Sequence, residues 1–295
     1  DHRITWAELA ASVDRVAAGL LDLGLRPGDI VAVQLPNRIE FVQTYLAIQR
    51  AGLHALTMLT IYREHDVRYM LGKCGARAYV VPDTYRGFDH AAMATALAAE
   101  DGSPVEHVVV VGEPVDGTVS FVDLAASRPR TDEEYVRLRP DPDGVSKINF
   151  TSGTTGSPKG VVHTHNTDLV PPTFLVEVAG LDHTTPIWMP SPIGHVTGLL
   201  FGPYTALMTG AKLVLQDRWD PVTAMRLIER ERPKVTVSAT PFIASMLEVP
   251  DRAKYDLSSF THFMSGGAPI PSVLVERARA ELGINLLRVF GSAEA

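Results

Sequence analysis

Apolar positions along this chain alternate between helical spacing and short continuous runs. Leu9, Val13, Val16 and Leu20 follow "TWAE", a capping-box pattern at residues 5–8, and predict a helix over 5–23. A turn and a buried strand follow in "RPGDIVAVQLPN". "IEFVQTYLAIQRAG" reads as a helix closed by Gly52, "LHALTML" as a strand, "REHDVRYMLGKCG" as a helix and "ARAYVVP" as a strand. A helix over 89–99 and the strand "EHVVVVG" complete the first run, and "GVSKINF" supplies one more apolar, β-branched strand. After residue 180 the alternation resumes. "IWMP", "AKLVLQ", "KVTVSAT", "THFMSG" and "LLRVFG" are strands. "HVTGLLFGPYTALMTG" is a largely buried helix, and further helices span 220–231, 241–248 and 271–282.

Strand–helix alternation of this kind predicts an α/β fold, with parallel sheets covered by helices on both faces. Two subdomains, roughly 25–180 and 181–295, suit 295 residues, and the helix at 5–23 is free to join the second. Residues 113–143, rich in Pro, Asp and Arg, read as a connecting excursion. In such sheets ligands bind beyond the carboxyl ends of the strands. Four turns of suitable chemistry lie there: 151–160 ("TSGTTGSPKG"), "SPIGHVTG", 265–269 ("SGGAP") and 290–294 ("FGSAE").

Composition narrows the classes. Hydrophobic residues make up 45% and charged ones 21%, enough for a sizeable core. A net charge of −7 argues against a nucleic-acid or anionic-membrane surface while leaving room for a local phosphate site. Cys74 is the single cysteine, which excludes a disulfide framework and suits a reducing, cytoplasmic location; it reads as a structural thiol. No apolar run approaches the ~18 residues of a membrane span, and no signal peptide is visible. The chain starts on Asp1 and stops on "AEA", so both ends read as cut. His163 and His165 lack a third ligand at metal spacing and read as structural.

The loop at 151–160 carries the most chemistry. Its glycines let backbone N–H groups approach an anion closely. Thr151, Ser152, Thr154, Thr155 and Ser157 each add a hydroxyl donor, and Lys159 adds a full charge. This is not a Walker A loop, because Pro158 stands where the second glycine would be and Gly160 follows Lys159. No G-x-G-x-x-G occurs, so a dinucleotide fingerprint is absent.

"FTSGTTGSPKGVVHTH" closely resembles the signature loop of the adenylate-forming (AMP-binding) superfamily, which includes acyl-CoA synthetases, aryl-CoA ligases, luciferases and peptide-synthetase adenylation domains. "GDIVAVQLPNRIEFVQTYLAIQRAG", "SGGAP" and "FGSAEA" are similar to further segments of that family, in the same order, so the resemblance covers essentially the whole chain. It implies an acyl-CoA synthetase-like large amino-terminal domain, incomplete, without the small carboxy-terminal domain that carries a catalytic lysine. The implied chemistry is attack of a carboxylate on the α-phosphate of ATP, then transfer of the acyl group to the thiol of coenzyme A. Thr151, Ser152, Gly153, Thr154, Thr155, Gly156, Ser157 and Lys159 would hold phosphate. Gly267, Ala268 and Pro269 would line the adenine, Phe290, Gly291 and Ser292 would border the nucleotide, and Glu294 would ligate Mg2+. His195, in "PSPIGHVTG", would border the carboxylate pocket, its bland alternative being a helix cap. Lys159, His195 and Glu294 are the implied catalytic residues. One departure stands out: the family's threonine before the glutamate is Ala293 here, so either Ser292 substitutes or an α-phosphate contact is missing.

An α-amino acid substrate would want a carboxylate beside its ammonium group. "SPIGHVTGLLFG" has none, and Val196, Phe201, Phe242 and "VTVSATPFIASM" are apolar, which favours a fatty, alicyclic or aromatic acid. The fragment alone is expected to be nearly inactive. The alternatives are a non-catalytic nucleotide- or acyl-binding member, or a peptide-synthetase-type adenylation domain. The expected partners are the acid and coenzyme A, with a homodimer left open.

Overall fold

The capping box forms as the sequence predicts. Thr5 Oγ1 accepts from the Glu8 N–H at 3.1 Å, and Glu8 Oε2 accepts from the Thr5 N–H at 2.7 Å, starting α1 (Trp6–Asp22). The computed structural model describes residues 2–151 and 158–294. They fall into two compact units, Asp1–Asn166 and Thr167–Ala295.

The first unit continues with β1 (Ile30–Val33), α2 (Ile39–Arg50), β2 (His54–Thr57), α3 (Glu64–Cys74) and β3 (Ala76–Pro82). A short hairpin, β4 (Thr84–Tyr85) and β5 (Phe88–Asp89), leads to α4 (His90–Ala98) and β6 (His107–Val111). Then come β7 (Val119–Ser120), α5 (Phe121–Leu124), α6 (Asp132–Arg137), β8 (Val145–Phe150) and β9 (Gly160–Thr164). Its seven-stranded sheet has the order β7-β6-β3-β1-β2-β8-β9, parallel throughout except for the β8–β9 pair. Val31, Val33, Val80, Val109 and Val110 are fully buried, as a sheet covered on both faces requires. Each such side chain contributes ~1.5–3 kcal/mol of apolar burial. Cys74 is half-buried, and desolvation pushes its thiol up to about 11, which keeps it protonated and structural.

Two sequence expectations change here. The helix at 5–23 belongs to the first unit, not the second: Gln43 Nε2 donates to Ser12 Oγ and Arg50 Nε to Asp14 Oδ1, both at 2.8 Å, holding α1 against α2. The unit boundary falls at Asn166, inside a helix, rather than near residue 180. The excursion at 113–143 is an ordered strap. Tyr135 is buried, its hydroxyl donates to Asp14 O, and the Arg50 guanidinium stacks over its ring at 4.3 Å.

The second unit opens with most of α7 (His165–Ala179), a helix the sequence did not predict because Pro171 and Pro172 lie inside it and each removes a backbone donor. It continues with β10 (Ile187–Met189), α8 (Val196–Leu199), a π-helical turn at Leu200–Tyr204 and α9 (Thr205–Thr209). The single helix predicted over this stretch is broken because Pro203 has no N–H. The hydroxyl of Thr205 donates to Leu200 O at 3.1 Å. β11 (Leu213–Leu215), α10 (Pro221–Glu231), β12 (Val235–Val237), α11 (Thr240–Leu247), β13 (His262–Ser265), α12 (Ser272–Leu282) and β14 (Asn285–Arg288) follow. β10 pairs with β11, and β12, β13 and β14 pair in that order, all parallel. The core centres on fully buried Trp188, with Phe260 edge-on at 5.5 Å and Ile228, Ile243 and Phe263 around it.

One group in the first unit makes stability depend on pH. His90 is 1% exposed, lies edge-on to Phe88 at 4.9 Å, and both ring nitrogens lack a hydrogen-bond partner among the described residues. Desolvation first, and the Arg63 charge second, pull its pKa down to about 4 from 6.5. The folded state holds the ring neutral while the unfolded chain takes up a proton below 6.5, so acidification favours unfolding. Stability is therefore expected to be flat above pH ~6.5 and to fall by about 2–3 kcal/mol between there and pH ~4. Urea midpoints at pH 7.5 and pH 5 check this. A His90→Gln variant with the same pH slope as the parent would remove His90 as the cause.

Candidate functional site

In the first unit, β8 and β9 form an antiparallel hairpin with Phe150 opposite Gly160. The Thr151 N–H donates to Lys159 O at 3.0 Å, which closes the mouth of the loop between them. A Cβ at Gly160 would lie 3.3 Å from Ile148 Cγ2 and 3.4 Å from the Phe150 ring, so the close pass of the returning strand favours glycine. Thr151 is half-buried and Lys159 exposed. The chain leaves the loop into the strand β9, and Lys159, at its described end, carries a positive charge. Ser152, Gly153, Thr154, Thr155, Gly156 and Ser157, all expected to hold phosphate, lie outside the described residues.

In the second unit the expected residues follow the carboxyl ends of parallel strands. Ser265 ends β13, and the chain turns through Gly266, Gly267, Ala268 and Pro269. A Cβ on Gly266 would meet Val289 O at 2.8 Å, and Gly267 has φ +82°, a conformation that L side chains rarely adopt. Ala268 and Pro269 are exposed. Beyond β14, Phe290 is 99% exposed, an aromatic face that nothing in the described protein covers. Gly291 and Glu294 are exposed and Ala293 is half-buried. Ser292 Oγ accepts from the Glu294 N–H at 3.3 Å, which leaves its own proton to donate.

His195 follows β10 and caps α8. Its Nδ1 accepts from the Thr197 N–H at 3.3 Å, and its backbone carbonyl accepts from Leu199 N–H at 3.0 Å. A ring nitrogen that accepts carries no proton, so the neutral tautomer bears its hydrogen on Nε2. The ring is solvent-accessible but crowded by protein, and desolvation lowers its pKa below the ordinary imidazole value. The helix-cap alternative for His195 is what the geometry shows, and the cap sets the tautomer of its ring. Val196 and Phe201 are partly buried. Phe242 packs edge-on against Trp219 at 4.5 Å and borders the core cluster, a structural role beside any substrate contact.

The sequence reading missed a set of hydroxyl pairs at these strand ends. Ser191 Oγ and Ser238 Oγ are 2.7 Å apart, and Thr240 Oγ1 and Ser265 Oγ 2.9 Å apart. Ser191, Ser238 and Ser265 are buried. The signal was present: "IWMPS", "VTVS" and "HFMS" each run from a strand to a serine. Among the described residues no group of three or more His, Cys, Asp and Glu side chains is placed to hold a metal ion, and no helix is long and apolar enough to cross a membrane.

The family described as AMP-binding enzyme matches residues 1–295. A medium-chain fatty-acid–CoA ligase of Escherichia coli is 30% identical over 291 residues, which cover 99% of this chain and 51% of that protein. A methyl-dioxo-octahydro-indenyl propanoyl:CoA ligase of Mycobacterium tuberculosis is 33% identical over 297 residues, covering 100% of this chain and 58% of that one. The apo structure of MbtA from Mycobacterium smegmatis superposes with a TM-score of 0.88 at 29% identity, over 100% of this chain and 53% of that chain. This chain thus spans about half the length of the curated relatives it matches. On the match along its whole length, the chain belongs to the AMP-binding enzyme family.

Proposed function

We propose that this chain takes part in activating a carboxylic acid with ATP and passing the acyl group to the thiol of coenzyme A. The observation that carries the proposal is the common strand-end placement of three distant segments in one unit: His195, Gly267–Pro269 and Phe290–Glu294. In the first step a carboxylate oxygen attacks the α-phosphorus, the bond to the bridging oxygen breaks, and pyrophosphate leaves with that electron pair. In the second, a thiolate attacks the acyl carbon, AMP departs, and the thiol proton goes to solvent.

The chain's own residues supply positioning and charge, which is most of what phosphoryl chemistry needs. The exposed Phe290 ring and the Gly267–Pro269 backbone offer a flat, apolar seat for adenine. In the first unit, Lys159 offers a cation and Thr151 a hydroxyl of the kind that binds phosphate oxygens. His195, neutral and protonated on Nε2, donates to the acid rather than competing as a cation for its charge. Glu294 is a single exposed carboxylate, a donor that fits Mg2+, since that ion takes one or two carboxylates and fills its shell with phosphate oxygens and water. When bound there, the ion supplies neutralisation of phosphate charge.

The composition of 191–202 and the similar proteins support the substrate class. No acidic side chain stands in 191–202 to pair an ammonium group, and the similar proteins named above act on a medium-chain fatty acid and a fused-ring propanoate. We take the acid to be fatty, alicyclic or aromatic. Acid-dependent ATP–pyrophosphate exchange with fatty, alicyclic, aromatic and amino acids tests the reading in the protein expressed from its complete gene. Exchange with an apolar acid is expected. Exchange only with amino acids would overturn the pocket argument, and Mg-ATP binding without exchange would favour a non-catalytic binding protein.

Ala293 bears on the rate. A threonine there would place a second hydroxyl beside that of Ser292, and Ala293→Thr is expected to raise exchange ~10-fold if one additional hydrogen bond to the α-phosphate forms. An unchanged rate would show that Ser292 already makes the contact.

A further inference from the structure

Two strands of the second unit that share no backbone ladder are joined by side chains. β10 pairs with β11 and β12 with β13. Between β10 and β12, Thr236 Oγ1 donates to Trp188 O at 2.8 Å, and one turn further out Ser191 and Ser238 share a hydrogen bond at 2.7 Å. Both serines are buried, 6% and 2% exposed. Buried hydroxyls cost free energy unless paired, and an alanine pair of similar shape would be nearly neutral for stability. What a hydroxyl pair adds is direction: it specifies one register where no ladder does.

We propose that the Ser191–Ser238 pair positions His195, setting the acid-binding turn in register with the nucleotide-binding strand ends; this rests on the acid-activation reading above. The geometry is continuous on both sides of the pair. On one side, Ser191 begins the turn 191–195, which is closed by the His195 N–H donating to Pro192 O at 3.1 Å. The first turn of α8 is pressed onto it, since a Cβ on Gly198 would stand 2.1 Å from Pro192 O. A shift at Ser191 is thereby carried to the ring of His195. On the other side, the Ser238 N–H donates to Met264 O at 2.9 Å, one residue before Ser265. Ser265 bonds Thr240 through its hydroxyl and accepts from the Val289 N–H at 2.8 Å, just ahead of Phe290. The pair is one link, beside the Thr236–Trp188 bond, between an acid side and a nucleotide side that sit on different strand ladders.

The test uses Ser191→Ala, Ser238→Ala, the double variant and Ser238→Thr in the protein expressed from its complete gene. Either single alanine is expected to raise the KM for the acid ~10-fold, the scale of one hydrogen bond, with the KM for ATP unchanged within ~2-fold. The double variant should lose less than the two single losses combined, because both remove the shared Ser191–Ser238 bond. Ser238→Thr, which keeps the hydroxyl, should restore the acid KM. An NMR titration of His195, assigned by difference with a His195→Gln variant, should show its pKa rising towards the ordinary imidazole value in both alanine variants. Ser191→Ala silent beside a defective Ser238→Ala would mean that Ser238 touches the acid directly, and would overturn the proposal. So would additive losses, or a lowered melting temperature with both KM values unchanged. If the parent protein shows no exchange with any acid, the activation reading fails by itself. The titration still decides the tie: an unchanged His195 pKa in both alanine variants refutes it, and a raised one upholds it.

Discussion

Gly198→Ala is expected to destabilise the second unit by about 3 kcal/mol and to take acid-dependent exchange down with it. The backbone at Gly198 is helical, so alanine would by propensity be favoured there by about 1 kcal/mol. The contact opposes this and wins. The added Cβ would sit 2.1 Å from Pro192 O, 2.6 Å from Pro192 C and 2.9 Å from Ile193 N, against ~3.5–4 Å for a comfortable contact. All three are backbone atoms, so no rotamer change relieves the clash. Either the turn at 191–195 or the start of α8 must move, and His195 belongs to both. Gly72→Ala is the control: Gly72 lies inside α3, and a Cβ there meets nothing within 4 Å. It should gain roughly 0.5–1 kcal/mol. Urea midpoints measure both, and equal midpoints for the two variants would refute the argument.

Lys159→Met is expected to lower ATP–pyrophosphate exchange ~10²–10³-fold, the usual cost of losing one preorganised charge at a phosphate site. The methionine keeps an unbranched side chain one atom shorter, and the bond that closes the loop runs between the backbones of Thr151 and Lys159, so the hairpin should persist. The net charge of −7 on these 295 residues disfavours a nucleotide, which makes a local cation matter more. Added salt should therefore weaken ATP binding in the parent more than in the variant. The melting temperature should not move, because Lys159 is exposed. A rate within ~3-fold of the parent would assign the phosphate charge to another residue.

Much of the fold was readable locally. The capping box at Thr5, the strand runs and the helices at 220–231, 241–248 and 271–282 appear within a residue or two of the expected bounds. α7 was hidden by Pro171 and Pro172, whose local rule argues against a helix that its surroundings nevertheless support. The π-helical turn at Leu200–Tyr204 was hidden because hydrophobic spacing cannot register one extra residue in a turn. The partner of α1 was open for a different reason: an apolar stripe shows that a helix face is buried without showing against what. Long-range contacts decide it, among them Gln43, Arg50 and Tyr135 reaching Ser12 and Asp14.

For the candidate site the division is similar. Glycines, hydroxyls, Lys159, His195 and Glu294 are chemical facts of the sequence; the strand pattern implied an α/β fold, and the resemblance of whole motifs implied the AMP-binding family. Tertiary structure decided what those residues can do. It set the tautomer of His195 through the Thr197 N–H, left Phe290 uncovered, and joined Ser191 to Ser238 across 47 positions of chain. Local propensity and periodicity are written between near neighbours, so they survive in one dimension. Hydrogen bonds between distant side chains depend on which strands come to lie side by side, and only the folded chain specifies that.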